Sequence, residues 1–121
     1  MIKTPKIFYA RTSSTGPTHA VTVEKTKYTN PETLAIRLID AKAPWETFAV
    51  ITVNLVSSPY GDVKYQDDTH AYIDTNNCPW AEDFLKVHGI AKPDSRDIYG
   101  MSGYCTYPLY EFDLNSIYEE K

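Results

Sequence analysis

A chain of 121 residues with 42% hydrophobic content falls in the size range of one domain, here expected to span 1–121, with a modest core. Its richest apolar stretch, Phe48 to Val56, is broken by Thr52 and Asn54 and is far shorter than the roughly 20 residues a membrane-spanning helix needs; the opening Met-Ile-Lys-Thr-Pro-Lys lacks the apolar run of a secretory signal, so a soluble cytoplasmic protein is expected. The net charge of −4 is uneven, +3 over residues 1 to 60 and −7 over residues 61 to 121, and the aromatic-rich second half lacks the basic track that direct nucleic-acid binding requires.

Ile7 to Tyr9, behind Pro5, reads as a first strand at a sheet edge, and the Thr-Ser-Ser-Thr-Gly-Pro stretch at 12–17 as a turn. Val21 and Val23 alternate with Thr22 and Glu24, the period of two that sends one set of side chains inward. Asn30-Pro31 marks a turn, after which Leu34, Ile36 and Leu38 alternate in a third strand. Trp45 to Leu55 is the clearest strand, with Ala49, Ile51, Val53 and Leu55 on one face. The short Ala-Lys-Ala-Pro link before it favours antiparallel pairing with the third strand, because a parallel crossover takes a dozen residues or more. Residues 57–69, with Pro59, Gly61 and the Asp67-Asp68 pair, read as an exposed loop, and His70 to Asp74 resumes the sheet.

A helix is expected over 79–88. Asn77 or Cys78 suits its N-cap, Pro79 its first turn, and Glu82 and Asp83 its positive end; Trp80, Phe84 and Leu85 form the apolar stripe, and Gly89 suits the left-handed C-terminal position with Ile90 packing back. Residues 91–104, with Pro93, Gly100 and Gly103, read as a long loop. In the final strand Tyr107 and Leu109 share one parity while Tyr110, Phe112 and Leu114 share the other, so a bulge or a change of buried face is expected near Leu109, and Pro108 points to an edge or bulged position. The fold class that follows is α+β: an antiparallel sheet of five to six strands, built as a meander, with one short amphipathic helix packed on one face.

Chemistry has little purchase. Cys78 and Cys105 with His70 and His88 are formally enough for zinc, but neither Cys-x-x-Cys nor His-x-x-x-His occurs, so no metal site is assigned. The two thiols, 27 positions apart, are expected free in a reducing compartment. Cys78 at a helix start, with His70 or His88 as base and Asp74 as orienting group, writes a thiol triad on paper, yet no family-specific sequence surrounds it. The phosphate loop, the dinucleotide glycine pattern, the nucleophile elbow and the calcium-loop framework are all missing. No catalytic residue and no cofactor is assigned.

The segments Asp74-Thr-Asn-Asn-Cys-Pro-Trp-Ala-Glu-Asp-Phe-Leu and Gly103-Tyr-Cys-Thr-Tyr-Pro-Leu-Tyr-Glu-Phe resemble a family of small uncharacterised proteins encoded by Firmicutes and their plasmids, conjugative elements and phages. The resemblance covers the C-terminal half best and implies a bacterial mobile-element setting without an established activity. The expected role is a non-enzymatic accessory protein that binds another protein, with Asp67, Asp68, Asp94, Asp97 and Tyr104 as candidate binding residues. The alternatives are an inhibitor of a host-defence nuclease, of anti-restriction or anti-CRISPR type, using an acidic surface, and a small thiol-dependent enzyme.

Overall fold

A computed structural model describes residues 3–29, 32–55, 65–102 and 104–120, and within them short antiparallel strands alternate with turns around one helix. Strands β2 (Phe8–Arg11), β3 (Thr18–Lys27), β4 (Leu34–Asp40) and β5 (Thr47–Val50) form a four-stranded sheet in chain order, after a short ribbon strand β1 (Lys3–Pro5). This is the meander that the alternation of Val21, Val23, Leu34, Ile36 and Leu38 implies, and all five side chains are buried. The first strand is indeed an edge, and the 12–17 stretch turns with the Gly16 N–H donating to the Ser13 carbonyl at 3.3 Å. The Asn30-Pro31 turn and most of the 57–69 loop lie outside the described residues.

The strand expected over Trp45 to Leu55 divides at Ile51. Its N–H donates to the Ile36 carbonyl at 3.1 Å, while its own carbonyl accepts from the Asp74 N–H at 2.8 Å, so the chain leaves one sheet and enters another within a single residue. The next piece, β6 (Thr52–Val53), pairs with β7 (His70–Ile73) in a second sheet, and buried Thr52 ties the junction by accepting the Ile36 N–H on its Oγ1 at 3.1 Å. An apolar alternation records which side is buried and not which sheet buries it, which is why one continuous pattern spans two strands.

The second sheet runs β6-β7-β10-β8, where β8 is Ala91–Pro93 and β10 is Cys105–Phe112; β9 (Tyr99–Ser102) pairs with the first half of β10. The loop expected over 91–104 therefore holds two strands. Both lie along the same side of β10, Phe112 to Tyr110 facing Ala91 to Pro93 and Pro108 to Cys105 facing Tyr99 to Ser102, with residues 94–97 looped out between them. The last strand, β11 (Tyr118–Glu120), pairs with β1. The α+β class stands, but the single sheet of five to six strands is replaced by three sheets of two, four and five strands.

Both faces of β10 are covered. Tyr110 and Phe112 enter the main core, with Phe8, Val21, Ile36, Ile51, Ile73 and the helix; Tyr107 and Leu109 enter a smaller cluster on the other face with Leu55 and Tyr72. The parity break near Leu109 is thus a change of buried face, and the irregularity in pairing belongs to the partner, at 94–97, instead of to β10 itself. Pro108 is paired on one side only, with Tyr99 of β9, because pairing with β7 stops at Leu109; the expected edge position is met locally in a strand that is otherwise interior, and the missing N–H costs no ladder bond.

The helix α1 is Ala81–Val87, shorter than the expected 79–88. Trp80 is the N-cap in place of Asn77 or Cys78, and no side chain caps it; Asn77 and Cys78 instead close the preceding turn on Asp74, through Asn77 N–H to Oδ1 at 3.1 Å and Cys78 N–H to the Asp74 carbonyl at 2.8 Å. Ala81, Phe84 and Leu85 are buried, and Phe84 meets Phe8 and Trp80 edge to face at 6.2 and 6.3 Å. Gly89 takes a φ of 66° and Ile90 packs back, fully buried, which ends the helix as the sequence indicates. Buried Tyr110 anchors the helix from below by donating its hydroxyl to Glu82 Oε1 at 2.7 Å.

Candidate functional site

The carboxylates of the second half have a consistent local job. Asp67, Asp94 and Asp113, like Asp40 in the first half, each accept the N–H two residues ahead on Oδ1, at 2.8 to 3.2 Å, and so close turns at strand ends. Two of these turns converge on His70, whose ring is mostly buried at the start of β7. Asp67 Oδ1 lies 2.8 Å from His70 Nδ1, and Asp94 Oδ2 and Glu111 Oε2 lie 3.3 and 3.5 Å from Nε2. Asp94 also takes both Arg96 Nε, at 2.8 Å, and Nη2, at 3.0 Å, in a two-pronged pair, while the Arg96 guanidinium stands 5.4 Å from the centre of the Tyr65 ring.

These contacts set the acidities. The Arg96 side chain holds the Asp94 carboxyl down at about 2, against the opposing effect of burial. For Asp67 burial acts upward, but hydrogen bonds from Thr69 and His70 outweigh it and the carboxyl is lowered. The cluster is therefore a set of mutually satisfied charges that pins the 67–70 turn and the 94–97 turn to β10.

Of the five candidate binding residues, the structure brings Asp67 and Asp94 together around His70. Asp94 corrects the expectation of an exposed rim charge: its side chain is only 5% exposed. Asp68 is exposed and lies 3.7 Å from Lys27. Asp97 is exposed at the end of the 94–97 turn, in a left-handed backbone conformation with φ 57° that aspartate tolerates better than most residues. Tyr104 belongs to a different region, the tip of the β9–β10 hairpin, about 23 Å along β10 from Glu111 by strand rise. There it is fully solvated, at 108% relative exposure, and Tyr99 and Met101 on β9 are also exposed. The sequence around Tyr99 and Met101 carries no strand pattern, because Gly100 between them hides the alternation.

The thiol triad does not assemble. Cys78 is buried, donates weakly to the Val50 carbonyl at 3.7 Å, and has its thiol pushed up by burial and by the Asp74 carboxylate, the opposite of the lowering an activated nucleophile needs. His88 spends Nε2 on the Tyr9 carbonyl at 3.0 Å and packs its ring on Phe8 and Phe84, His70 is held as described, and Asp74 is engaged by Asn77. Among the described residues no group of three or more His, Cys, Asp or Glu side chains is arranged to hold a metal ion, and no helix is long and apolar enough to cross a membrane.

Residues 22–120 match the model of a family described as a domain of unknown function, DUF4313. The chain belongs to that family. No curated protein and no solved structure matches it. The match begins within β3 and takes in every later element, including the hairpin, the His70 cluster and the helix.

Proposed function

We propose that this DUF4313 chain is a non-enzymatic accessory protein that binds another protein through the β9–β10 hairpin. The observation that carries the reading is the exposure of Tyr99, Met101 and Tyr104 on one hairpin, with Tyr104 fully in water at its tip. Large aromatic and thioether side chains gain by leaving water, as Tyr72, Tyr107 and Tyr110 do in this chain, and they are the residue types that protein interfaces favour. Exposed Asp97, two residues before Tyr99, supplies a charge at the rim, where charges tune encounter and choice of partner. A bacterial mobile-element setting is supported by the sequence resemblance alone. The nuclease-inhibitor alternative gains less: of the acids it would use, Asp68 and Glu111 stand beside Lys27 and Lys92, and Asp94 is buried against Arg96.

The test is affinity capture from the native host with the full chain and with Tyr99→Ala and Tyr104→Ala, each first shown to keep the wild-type melting temperature. Binding through the hairpin requires a partner captured by the wild type and lost or weakened at least tenfold by both variants. Undiminished capture by both moves the interface elsewhere, and loss of function in a folded Cys78→Ala chain with both hairpin variants active revives the thiol enzyme.

A further inference from the structure

A second apolar surface lies away from the hairpin, where α1 runs beside the edge strand β2. A groove of about 450 Å³ opens there, walled by Tyr9 on the strand side and by Trp80, Val87 and His88 on the helix side. Val87 is 78% exposed and Tyr9 61%, so apolar atoms of both walls stand in water across a continuous depression. Its polar rims are of opposite sign. Arg11 lies on the β2 side and Asp83 on the helix side; both are exposed, and neither has an ion-pair partner among the described residues.

We infer that this groove is an isologous interface at which two copies of the chain pair about a two-fold axis through the groove. The charge layout selects this occupant. A two-fold axis running along the groove exchanges its two walls, so it sets each Arg11 against the Asp83 of the other copy and closes two ion pairs with no outside partner, whereas an axis across the groove would oppose like charges. The same rotation lays the exposed Tyr9 wall of one copy against the Val87 wall of the other, which removes apolar atoms of both from water. Opposed rim charges fix register and suppress other arrangements, and the apolar centre provides the affinity. The groove is small beside the interface of an obligate dimer, so the pairing is reversible and depends on concentration.

Sedimentation velocity on the full chain from about 1 to 300 µM tests it. The expected result is a concentration-dependent shift from one chain mass to two. Val87→Glu, at a site exposed enough to leave the thermal midpoint unchanged, weakens the association at least tenfold. Arg11→Glu also weakens it, and adding Asp83→Arg restores it to within about threefold, because the swap reinstates both pairs with sign reversed. A wild-type chain that stays at one chain mass throughout overturns the inference and leaves the groove to a different partner. A Val87→Glu chain that associates like wild type, or a charge swap that restores nothing, overturns it as well.

Discussion

Replacing Asp94 by Asn removes the charge at the centre of the His70 cluster while nearly keeping the volume. The carboxylate accepts the Arg96 N–H at 2.9 Å and two guanidinium bonds at 2.8 and 3.0 Å, and faces His70 Nε2 at 3.3 Å. Hydrogen bonds to charged groups contribute about 1.5 to 3 kcal/mol, but the Arg96 side chain is half in solvent and regains water when its partner is lost, so a cost of about 1 to 2 kcal/mol is expected at neutral pH. For a chain of this length that is roughly a 4 to 10 °C fall in melting temperature. The pH dependence is distinctive. The folded carboxyl sits at about 2 against an ordinary 3.8, so its stabilisation is complete above about pH 4 and is lost as pH falls through that window toward 2. Urea unfolding of wild type and Asp94→Asn from pH 7 downward measures the difference, and other acid-sensitive groups such as Asp67 cancel because both proteins carry them. A gap under about 0.3 kcal/mol at neutral pH, or one that stays constant down to pH 2, refutes the reasoning.

Phe84→Ala should cost about 3 to 5 kcal/mol, since the ring is buried between Phe8, Trp80 and His88; a loss under about 1 kcal/mol in denaturant titration would remove the helix from the core. Gly100→Ala should destabilise by about 1 to 3 kcal/mol, because a β-carbon there meets the Leu55 Cδ1 methyl and the rigid, fully buried Tyr72 ring at 2.9 Å; a variant at least as stable as wild type would show that β9 shifts freely. In native protein iodoacetamide should modify half-buried Cys105 well before buried Cys78, whose thiol is raised, as peptide mapping over time will report. Faster loss of Cys78 contradicts the packing around Val50.

The parts legible in the sequence are those where burial has one period and one cause. The helix stripe, the Gly89 stop and the β2 to β4 meander each face a single core, so side-chain spacing alone reveals them. Where two cores compete the pattern misleads: Leu109 and Tyr110 are neighbours that are both buried, each in a different cluster, and Ile51 belongs to a run whose two halves join different sheets. β8 and β9 show no strand pattern in the sequence because Pro93 and Gly100 occupy strand positions and the paired residues are split by a four-residue turn. By sequence alone Asp94 reads as a loop acid. The signal that places it inward is the Asp-Ser-Arg spacing, which suits an aspartate closing its own turn, but the approach of His70 from another strand is a tertiary fact that no local pattern holds.

The hinge residue Ile51 has a mechanical consequence. Its amide belongs to one sheet and its carbonyl to the other, and its side chain is fully buried between them. Prying the four-stranded sheet away would break the Ile36 bond and strain the rung that carries the Asp74 amide; opening the second sheet does the reverse. Exchange of the Ile51 and Asp74 amides with deuterium should therefore proceed at the same slow rate, set by the loss of both sheets at once, while the β9–β10 tip exchanges by its own faster fraying. The hairpin can adapt its shape without loosening the body that holds it.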